Sequence, residues 1–389
     1  MKPLSLHFLV SLSFWGLARG EILIPEPGGP YAVGYNTMKL VDESRIDPYD
    51  PGHGKRNVMM SLFYPVARED CQQMCSINYM PPITATFEDG FAAELGLTLP
   101  NGTFASINWQ SCCKVSHRGI QAMEKFPVVL FSPGLGGSRL LYSAMAQKLA
   151  SAGYAVATMD HTYEGVVVEY PDGSYIVGWN QSYLEYLFDP AFPERVESVL
   201  DIRVQDAQFV LTQLGQLAVV KSLIPGATCA FNIGHSGFYG HSFGGATALA
   251  ALARDHRLNG GLNLDGSQYG VNQDIHRPAM LFGRDDPHSH NRTNDATWAA
   301  VWDHMKGWRR ELGLSHSQHT TFMDAPLLIK MAGLPDSDVI RGILGELDGA
   351  RAFEIITKYV EAFMDFALKG RRSELFSGPS KAYPEIRVS

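Results

Sequence analysis

A serine between two glycines is the residue of this sequence best placed to do chemistry. Gly240-His241-Ser242-Phe243-Gly244 has the pattern G-x-S-x-G, and it follows the apolar run Gly237–Tyr239 and precedes the alanine-rich stretch 243–253. In such a strand–turn–helix context the serine hydroxyl projects from a strained turn, and larger side chains at the glycine positions would collide with neighbouring backbone. The pattern therefore predicts that Ser242 is a nucleophile.

Histidines late in the chain are candidates for the base that this serine needs. A serine hydroxyl reacts poorly until a base removes its proton, and histidine has the right basicity at neutral pH. Behind a G-x-S-x-G turn the chain order is serine, acid, histidine. His316 and His319 both follow the last predicted strands and satisfy this order. His288 and His290 lie earlier, in a loop whose composition predicts an exposed polar turn rather than a metal site.

Two aspartates compete for the role of the acid that orients the histidine. Asp265 ends the predicted strand Gly261–Leu264 in an uncharged run, which suits a buried acid. Asp286 follows the next predicted strand, Ala279–Phe282, but it neighbours Asp285 and precedes a proline, a composition typical of a solvated turn. Because both lie at the carboxyl end of a strand, either could reach the histidine. The sequence favours Asp265 and leaves Asp286 as the alternative acid.

Backbone amides must stabilise the oxyanion that forms when a serine attacks an ester or amide. One donor is the residue after the nucleophile, Phe243, and the other comes from the loop after an earlier strand. Gly134-Leu135-Gly136-Gly137 directly follows the apolar run Val128–Phe131. We therefore expect the amides of Leu135 and Phe243 to form the oxyanion hole.

The elements around these residues alternate between strands and helices from Phe126 onwards. This order predicts an α/β fold: a mostly parallel central sheet with helices on both faces, preceded by antiparallel strands. The run Asn57–Tyr64 has apolar residues at every second position, as in a strand with one buried face. Residues 165–193 are rich in Tyr, Gly and Pro, and this composition predicts a loop or cap excursion. Helices are expected at Leu140–Ser151, Val196–Leu214, 243–253, Ala296–Leu312 and Ala350–Leu368.

The N-terminus has the features of a secretory signal. An apolar stretch, Leu4 to Ala18, follows Lys2 and ends in small residues suited to cleavage before Glu21. It is short for a transmembrane helix, although an uncleaved anchor is the alternative. We expect residues 1–20 to be removed, and residues 21–389 to form one secreted, extracellular domain. Three sequons fit this location, at Asn101, Asn180 and Asn291, and each is a candidate glycan site on a surface loop.

Five cysteines agree with an oxidising compartment. Cys71 and Cys75 lie on one short stretch, and Cys112 and Cys113 lie on another. Two disulfides between these stretches would staple an irregular insertion at about 66–125, although four cysteines allow three pairings. Cys229 is then expected to be a free, buried thiol. A zinc site is the alternative, but adjacent cysteines lack the usual spacing of its ligands.

Composition excludes several classes of protein. The 389 residues carry a formal net charge of −8 with a pI near 5.9, whereas a nucleic-acid-binding protein needs a basic surface. Hydrophobic residues make up 45%, too many for a disordered chain.

Several motifs along the chain carry a resemblance to a known family. They are Gly29-Pro30-Tyr31-Ala32-Val33-Gly34, Leu40-Val41-Asp42 with Arg45 and Asp47-Pro48, Tyr64-Pro65, Ser132-Pro133-Gly134-Leu135-Gly136, Gly240-His241-Ser242-Phe243-Gly244-Gly245, Asn263-Leu264-Asp265-Gly266 and His319-Thr320-Thr321-Phe322-Met323-Asp324. Together they resemble the platelet-activating-factor acetylhydrolase family of secreted α/β-hydrolases, in a fungal-type branch. The chain departs from the family in two places, which concern the substrate rather than the chemistry: Pro133 stands where many relatives have histidine, and the cysteine insertion is not a general family feature.

The resemblance implies a catalytic triad of Ser242, Asp265 and His319, with Leu135 and Phe243 in the oxyanion hole. It also implies calcium-independent hydrolysis of short or oxidised acyl esters of phospholipids, with no metal or organic cofactor and with transient contact to a lipid surface. A broad lipase, a cutinase-like carboxylesterase or an acyltransferase acting on a specialised metabolite is the alternative enzyme. A catalytically dead hydrolase fold used as a binding module is the alternative outside enzymes, and the intact Ser, Asp and His argue against it.

Overall fold

The computed structural model describes residues 21–179, 183, 186–187, 192 and 194–389. Its strands are β1 (Ile22–Ile24), β2 (Tyr31–Ile46), β3 (Lys55–Ala67), β4 (Cys71–Asn78), β5 (Ile107–Val115), β6 (Val128–Ser132), β7 (Ala155–His161), β8 (Val167–Glu169), β9 (Tyr175–Val177), β10 (Ser236–His241), β11 (Leu258–Leu264), β12 (Ala279–Arg284), β13 (Arg309–Leu314) and β14 (Ile386–Val388).

The helices lie between these strands and at the carboxyl end of the chain. They are α1 (Pro82–Glu94), α2 (His117–Gln121), α3 (Ser143–Ser151), α4 (Glu194–Leu214), α5 (Leu217–Leu223), α6 (Phe243–Arg254), α7 (Ala296–His304), α8 (Ala325–Met331), α9 (Asp338–Leu344) and α10 (Gly349–Lys369).

A nine-stranded sheet is the centre of the described residues, in the order β14-β13-β12-β11-β10-β6-β7-β3-β2. The six strands from β13 to β7 are parallel, whereas β3, β2 and β14 pair antiparallel. This confirms the predicted α/β fold with antiparallel N-terminal strands. Strands β6 and β10 are buried along their whole length, because helices cover both faces of the sheet.

The two faces carry separate hydrophobic cores. On one face, α3 and α10 contribute side chains such as Met145 and Phe363. On the other, α4, α6 and α7 contribute side chains such as Leu211, Leu249 and Trp298. The sheet therefore holds the carboxyl ends of β6, β10 and β11 at one rigid edge, where the candidate catalytic residues lie.

The predicted helix Ala296–Leu312 is wrong in its second half. Helix α7 ends at His304, and the chain returns as β13, parallel to β12. A turn separates the two elements: the amide of Gly307 donates to the carbonyl of Ile275 at 3.1 Å, and a Cβ at Gly307 would lie 2.3 Å from the carbonyl oxygen of His276. Pairing of β13 with β12 and β14 therefore overrides a helical composition.

The insertion at about 66–125 is regular rather than irregular. Strands β4 and β5 pair antiparallel, β1 adds parallel to β5, and helix α1 lies between β4 and β5 in the chain. Disulfides join Cys71 to Cys112 and Cys75 to Cys113, each with a Cα–Cα distance of 5.8 Å. The predicted bridges between the two stretches are thus present, and they link β4 to β5.

Cys229 is free, as predicted, but it is half-buried rather than buried. A hydrogen bond to Glu124, with some burial, raises the pKa of this thiol.

Two of the three sequons lie among the described residues, and only one is exposed. Asn101 lies in an exposed turn. Asn291 is 9% exposed, and its side-chain oxygen accepts a hydrogen bond from the amide of Thr293 at 2.9 Å. The expected surface position is therefore wrong for Asn291, because the loop after β12 folds back on itself. Asn180 lies outside the described residues, as does the predicted signal at residues 1–20.

The predicted excursion at 165–193 contains, among its described residues, the short hairpin of β8 and β9. No helix in the described part of the chain combines the length and apolar character needed to cross a membrane.

Candidate active site

Ser242 occupies the turn between β10 and α6 with φ 56° and ψ −126°. A serine in this region is strained, and the surroundings hold it there. A Cβ at Gly240 would lie 2.1 Å from the carbonyl oxygen of Gly244, and a Cβ at Gly244 would lie 2.0 Å from that of Ser132. The amide of Ser242 donates a hydrogen bond to the carbonyl oxygen of Leu264 at 2.8 Å, which links the turn to β11. The structure therefore has the strained strand–turn–helix geometry predicted from the two glycines.

His319 begins the short 3₁₀ turn His319–Phe322, which follows β13. Its Nδ1 lies 2.6 Å from Oδ2 of Asp265, and its side chain is 42% exposed. Its carbonyl oxygen lies 2.9 Å from Nε2 of His241, whose Nδ1 lies 2.7 Å from the hydroxyl of Tyr142. These contacts hold His319, which lines the same two cavities as Ser242.

Asp265 follows the last residue of β11 and has a fully buried side chain. Its Oδ1 accepts from the amide of Arg284 at 3.1 Å and lies 2.9 Å from Nδ1 of His290. Burial raises the pKa of this carboxyl, but hydrogen bonds from His290 and His319 outweigh burial and hold it well below its usual value. Asp265 is therefore an anion with histidines on both oxygens.

His290 was not foreseen as part of this site, and the prediction that it lies in an exposed turn is wrong. It is 8% exposed and bridges two acids, with Nε2 lying 2.7 Å from Oδ2 of Asp295. Burial lowers the pKa of His290, but the hydrogen bonds to Asp265 and Asp295 raise it to about 9. The only sequence signal for this contact was its position after β12, at the same sheet edge as Asp265.

Asp286, the alternative acid, lies away from His319. Its side chain is exposed, and its carbonyl oxygen accepts from the amide of His316 at 2.8 Å. His316 in turn pairs with Glu346 at 3.3 Å on the surface. The structure thus brings together Ser242, His319 and Asp265, and it leaves both His316 and Asp286 outside the group.

The amides of Leu135 and Phe243 are free to bind a ligand oxygen. Within the described residues, neither amide donates a hydrogen bond to a protein acceptor. Phe243 begins α6, where the first amides have no partner in the helix. The loop that carries Leu135 passes against the nucleophile, since a Cβ at Gly134 would lie 3.1 Å from Cβ of Ser242. Two preformed donors at this position suit a developing oxyanion.

Arg203 of α4 holds the loop that carries Leu135, a role that no sequence pattern indicated. Its guanidinium donates to the carbonyl of Pro133 at 2.7 Å and to that of Gly134 at 3.4 Å. It also donates to Glu164 at 2.5 Å, and the carbonyl of Glu164 accepts from the amide of Gly136 at 3.1 Å. Because Arg203 and Glu164 are both buried, this ion pair fixes the carbonyls of the loop that passes against Ser242.

Two cavities meet at Ser242 and His319. The first, of about 680 Å³, is called the polar cavity because most of the residues in its lining are polar or charged. These residues are Ser242, Phe243, Asp265, Ser267, Tyr269, Arg284, Ser289, His290, Asn294, Asp295, Ala296 and His319. The second, of about 250 Å³, is mostly apolar and is lined by Glu88, Phe91, Ala92, Leu95, Leu97, Phe104, Gly134, Leu135, Gly136, Gly137, Leu141, Tyr142, His241, Ser242, His319, Thr320, Met323, Ala325, Ile343 and Leu344.

Among the described residues, no group of three or more His, Cys, Asp or Glu side chains has a metal-binding arrangement.

Comparison with known proteins agrees with this geometry. Residues 17–175 and 231–372 match the family described as "Platelet-activating factor acetylhydrolase, isoform II". The chain belongs to this family.

Members of the platelet-activating factor acetylhydrolase family are also found among the curated relatives. The chain is 33% identical to the "Probable 1-alkyl-2-acetylglycerophosphocholine esterase" of Arthroderma benhamiae, over 94% of this chain and 93% of the relative. It is 25% identical to the platelet-activating factor acetylhydrolase of Cavia porcellus, over 89% and 78% of the two chains.

A solved structure, the ferulic acid esterase from Streptomyces cinnamoneus, superposes with a TM-score of 0.74 at 30% identity, covering 95% of this chain and 99% of that one. Together with the family match, these relatives identify the protein as a carboxylic ester hydrolase that acts on small ester substrates.

Proposed function

We propose that the protein is a secreted serine esterase that hydrolyses short or oxidised acyl esters of phospholipids through an acyl-enzyme on Ser242. The observation that carries the proposal is the buried carboxylate of Asp265, whose Oδ2 lies 2.6 Å from Nδ1 of His319. This pair lies at the sheet edge where the turn between β10 and α6 carries Ser242. The names of the Arthroderma benhamiae and Cavia porcellus relatives support the choice of substrate.

The proposed first step is attack of the Ser242 hydroxyl on the ester carbonyl while Nε2 of His319 takes its proton. Asp265 accepts the Nδ1 proton of His319, fixes its tautomer and stabilises the imidazolium. The amides of Leu135 and Phe243 stabilise the oxyanion. His319 then gives its proton to the departing alcohol, which leaves the acyl group on Ser242.

Deacylation repeats this sequence with water as the nucleophile. His319 takes a proton from the water that attacks the acyl carbonyl. It then gives this proton to the Ser242 oxygen as the bond to the acyl carbon breaks, which releases the carboxylic acid and restores the serine hydroxyl. None of these steps uses a metal or an organic cofactor.

The two cavities suggest how a phospholipid would lie. The apolar cavity suits the acyl chain. The polar cavity suits the glycerophosphate part of the leaving lysophospholipid, because it is lined by Arg284, whose Nε pairs with Asp265 at 2.9 Å and whose side chain is 26% exposed. Phe91 of α1 and Leu95, which directly follows this helix, are exposed apolar residues in the lining of the apolar cavity, and we propose that they contact a lipid surface. The two disulfides of the insertion support secretion into an oxidising compartment.

A carboxylesterase acting on a different acyl group is the second candidate. The structural likeness to a ferulic acid esterase over nearly the whole chain favours it. The apolar cavity, which extends beyond the residues around Ser242 to α1, also has room for more than an acetyl group.

Hydrolysis rates on p-nitrophenyl esters from C2 to C16, beside an acetylated ether phospholipid, separate the two candidates. We expect the highest kcat/KM on the phospholipid and, among the p-nitrophenyl esters, on the short chains. Rapid hydrolysis of the simple esters with none of the phospholipid would contradict the phospholipid assignment and favour the second candidate.

A further inference from the structure

Glu88 is a buried carboxyl in the lining of the apolar cavity, on helix α1 of the insertion. It is 2% exposed, and its Oε1 has no hydrogen-bond partner among the described residues. A buried polar group without a partner lowers stability, so such groups are rare and call for an explanation.

Three ionisable side chains interact electrostatically with Glu88, and each of them already has another hydrogen-bond partner. The hydroxyl of Tyr79 donates to Asp324 at 2.8 Å, and that of Tyr142 lies 2.7 Å from Nδ1 of His241. Asp160 pairs with the guanidinium and the amide of Arg139. No neighbour among the described residues therefore satisfies Glu88.

The Glu88 carboxyl is able to donate as well as accept a hydrogen bond. Burial, with a smaller contribution from the charge of Asp160, raises the pKa of Glu88 to about 8. At neutral pH the group is mostly a protonated acid.

The position of Glu88 points to a ligand in the cavity. The same cavity reaches Ser242 and the Leu135 loop, and most of its remaining lining is apolar. One polar group in an otherwise apolar pocket typically fixes a matching polar group of the ligand. A site built around such a hydrogen bond discriminates against analogues that lack the partner.

We propose that Glu88 is a specificity-determining residue that binds a hydroxyl group on the acyl part of the ester, away from the scissile carbonyl. This inference rests on the proposed esterase function and places the acyl group in the apolar cavity. The hydroxyl can belong to an aliphatic hydroxyacyl chain or to a phenolic acyl group, and the two are distinguished by experiment.

The test compares esters that differ only by that hydroxyl. The aliphatic arm pairs p-nitrophenyl esters of unsubstituted acids with their ω-hydroxy counterparts, from four to eight carbons. The phenolic arm pairs methyl cinnamate with methyl 4-hydroxycinnamate. For the wild type we expect kcat/KM to favour the hydroxylated member by about tenfold in one arm, the size of effect typical of one hydrogen bond.

Three variants assign this preference to Glu88. Glu88→Leu should abolish the preference, and Glu88→Ala should do the same if leucine does not fit the site. Glu88→Gln should retain it, because an amide both donates and accepts. Glu94→Leu, an exposed position on the same helix, is the matched control and should retain the wild-type ratio.

The outcomes distinguish failure of the role proposed for Glu88 from failure of the proposed esterase function. Equal ratios for the wild type and for Glu88→Leu or Glu88→Ala, in an enzyme that hydrolyses both members of a pair, would overturn the role of Glu88 alone. A folded wild type that hydrolyses none of the esters, the acetylated phospholipid included, would overturn the proposed function and the role of Glu88 with it.

Discussion

The polar and apolar cavities share Ser242 and His319 but are built by different parts of the chain. The residues that line the polar cavity lie between Ser242 and His319, in segments that follow the carboxyl ends of β10, β11, β12 and β13. The apolar cavity takes one wall from the Leu135 loop and another from α1 of the disulfide-linked insertion. The proposed catalytic groups thus lie on the sheet edge, whereas the wall that we propose to contact the acyl group comes from the insertion.

The largest effect is expected from removing the nucleophile that both cavities share. Ser242→Ala should lower kcat by about 10⁴–10⁶-fold, because a triad acts as a unit. Circular dichroism and thermal melting would show that the variant is folded. A pure, folded variant that keeps a tenth of wild-type activity would be incompatible with the serine mechanism.

The next effect compares the buried acid with the exposed one. Asp265→Asn should lower kcat by about 10⁴-fold, because the amide favours the wrong tautomer of His319. Asp286→Asn is the matched control and should lower kcat by less than about tenfold, since its side chain is exposed. Steady-state kinetics on folded variants giving the reverse order would move the acid to Asp286.

The third prediction concerns the charge of His290 in the polar cavity and its contribution to the stability of the fold. The pKa of His290 is raised to about 9 in the folded protein from 6.5, so the stability it contributes is present in full below pH 6.5 and is lost as pH rises through 9. His290→Gln should therefore reduce the free energy of unfolding by about 3 kcal/mol at pH 6, at 1.36 kcal/mol for each pKa unit. The deficit should shrink by pH 10.

Urea unfolding between pH 6 and pH 10 measures this effect. His288→Gln, an exposed histidine of the same loop, is the control and should follow the wild-type profile. A His290→Gln deficit that does not change across this range would show that the charge of His290 contributes nothing.

The smallest effect on catalysis is expected from the insertion. The double variant Cys75→Ser, Cys113→Ser should lower the stability of the fold by about 2–4 kcal/mol, the range typical of one disulfide. Because the bridge supports the segment that carries α1, KM should rise for esters with longer acyl chains while kcat on acetyl esters changes little. Cys229→Ser is the control and should alter neither quantity, since that thiol is free. An equal loss of kcat on all chain lengths would contradict the division between the two cavities.

The sequence predicted the residues at the sheet edge well because the turns and strands there require particular residue types at particular positions. The glycines around Ser242 and the apolar runs of β6 and β10 allow few alternatives, and the uncharged run ending in Asp265 already favoured a buried acid over Asp286. Long-range pairing was not visible in the sequence. The strand β13 lies within a stretch of helical composition, and only its pairing with β12 and β14 defines it.

Residues that act through contacts distant in the chain could not be predicted either. Arg203 reaches the carbonyl of Pro133 across 70 positions, and His290 reaches Asp265 across 25. Glu88 belongs to an insertion whose order depends on two disulfides and on pairing with β1, so its place in the cavity followed from no local pattern.

Covalent labelling of the native protein with a fluorophosphonate tests the central claim most directly. The probe reacts with an activated serine, and intact-mass measurement with peptide mapping locates the adduct. We predict a single adduct on Ser242 in the wild type, with none in Ser242→Ala and much slower labelling in Asp265→Asn. A folded wild type that carries no adduct, or an adduct that persists in Ser242→Ala, would contradict the assignment of Ser242 as the nucleophile.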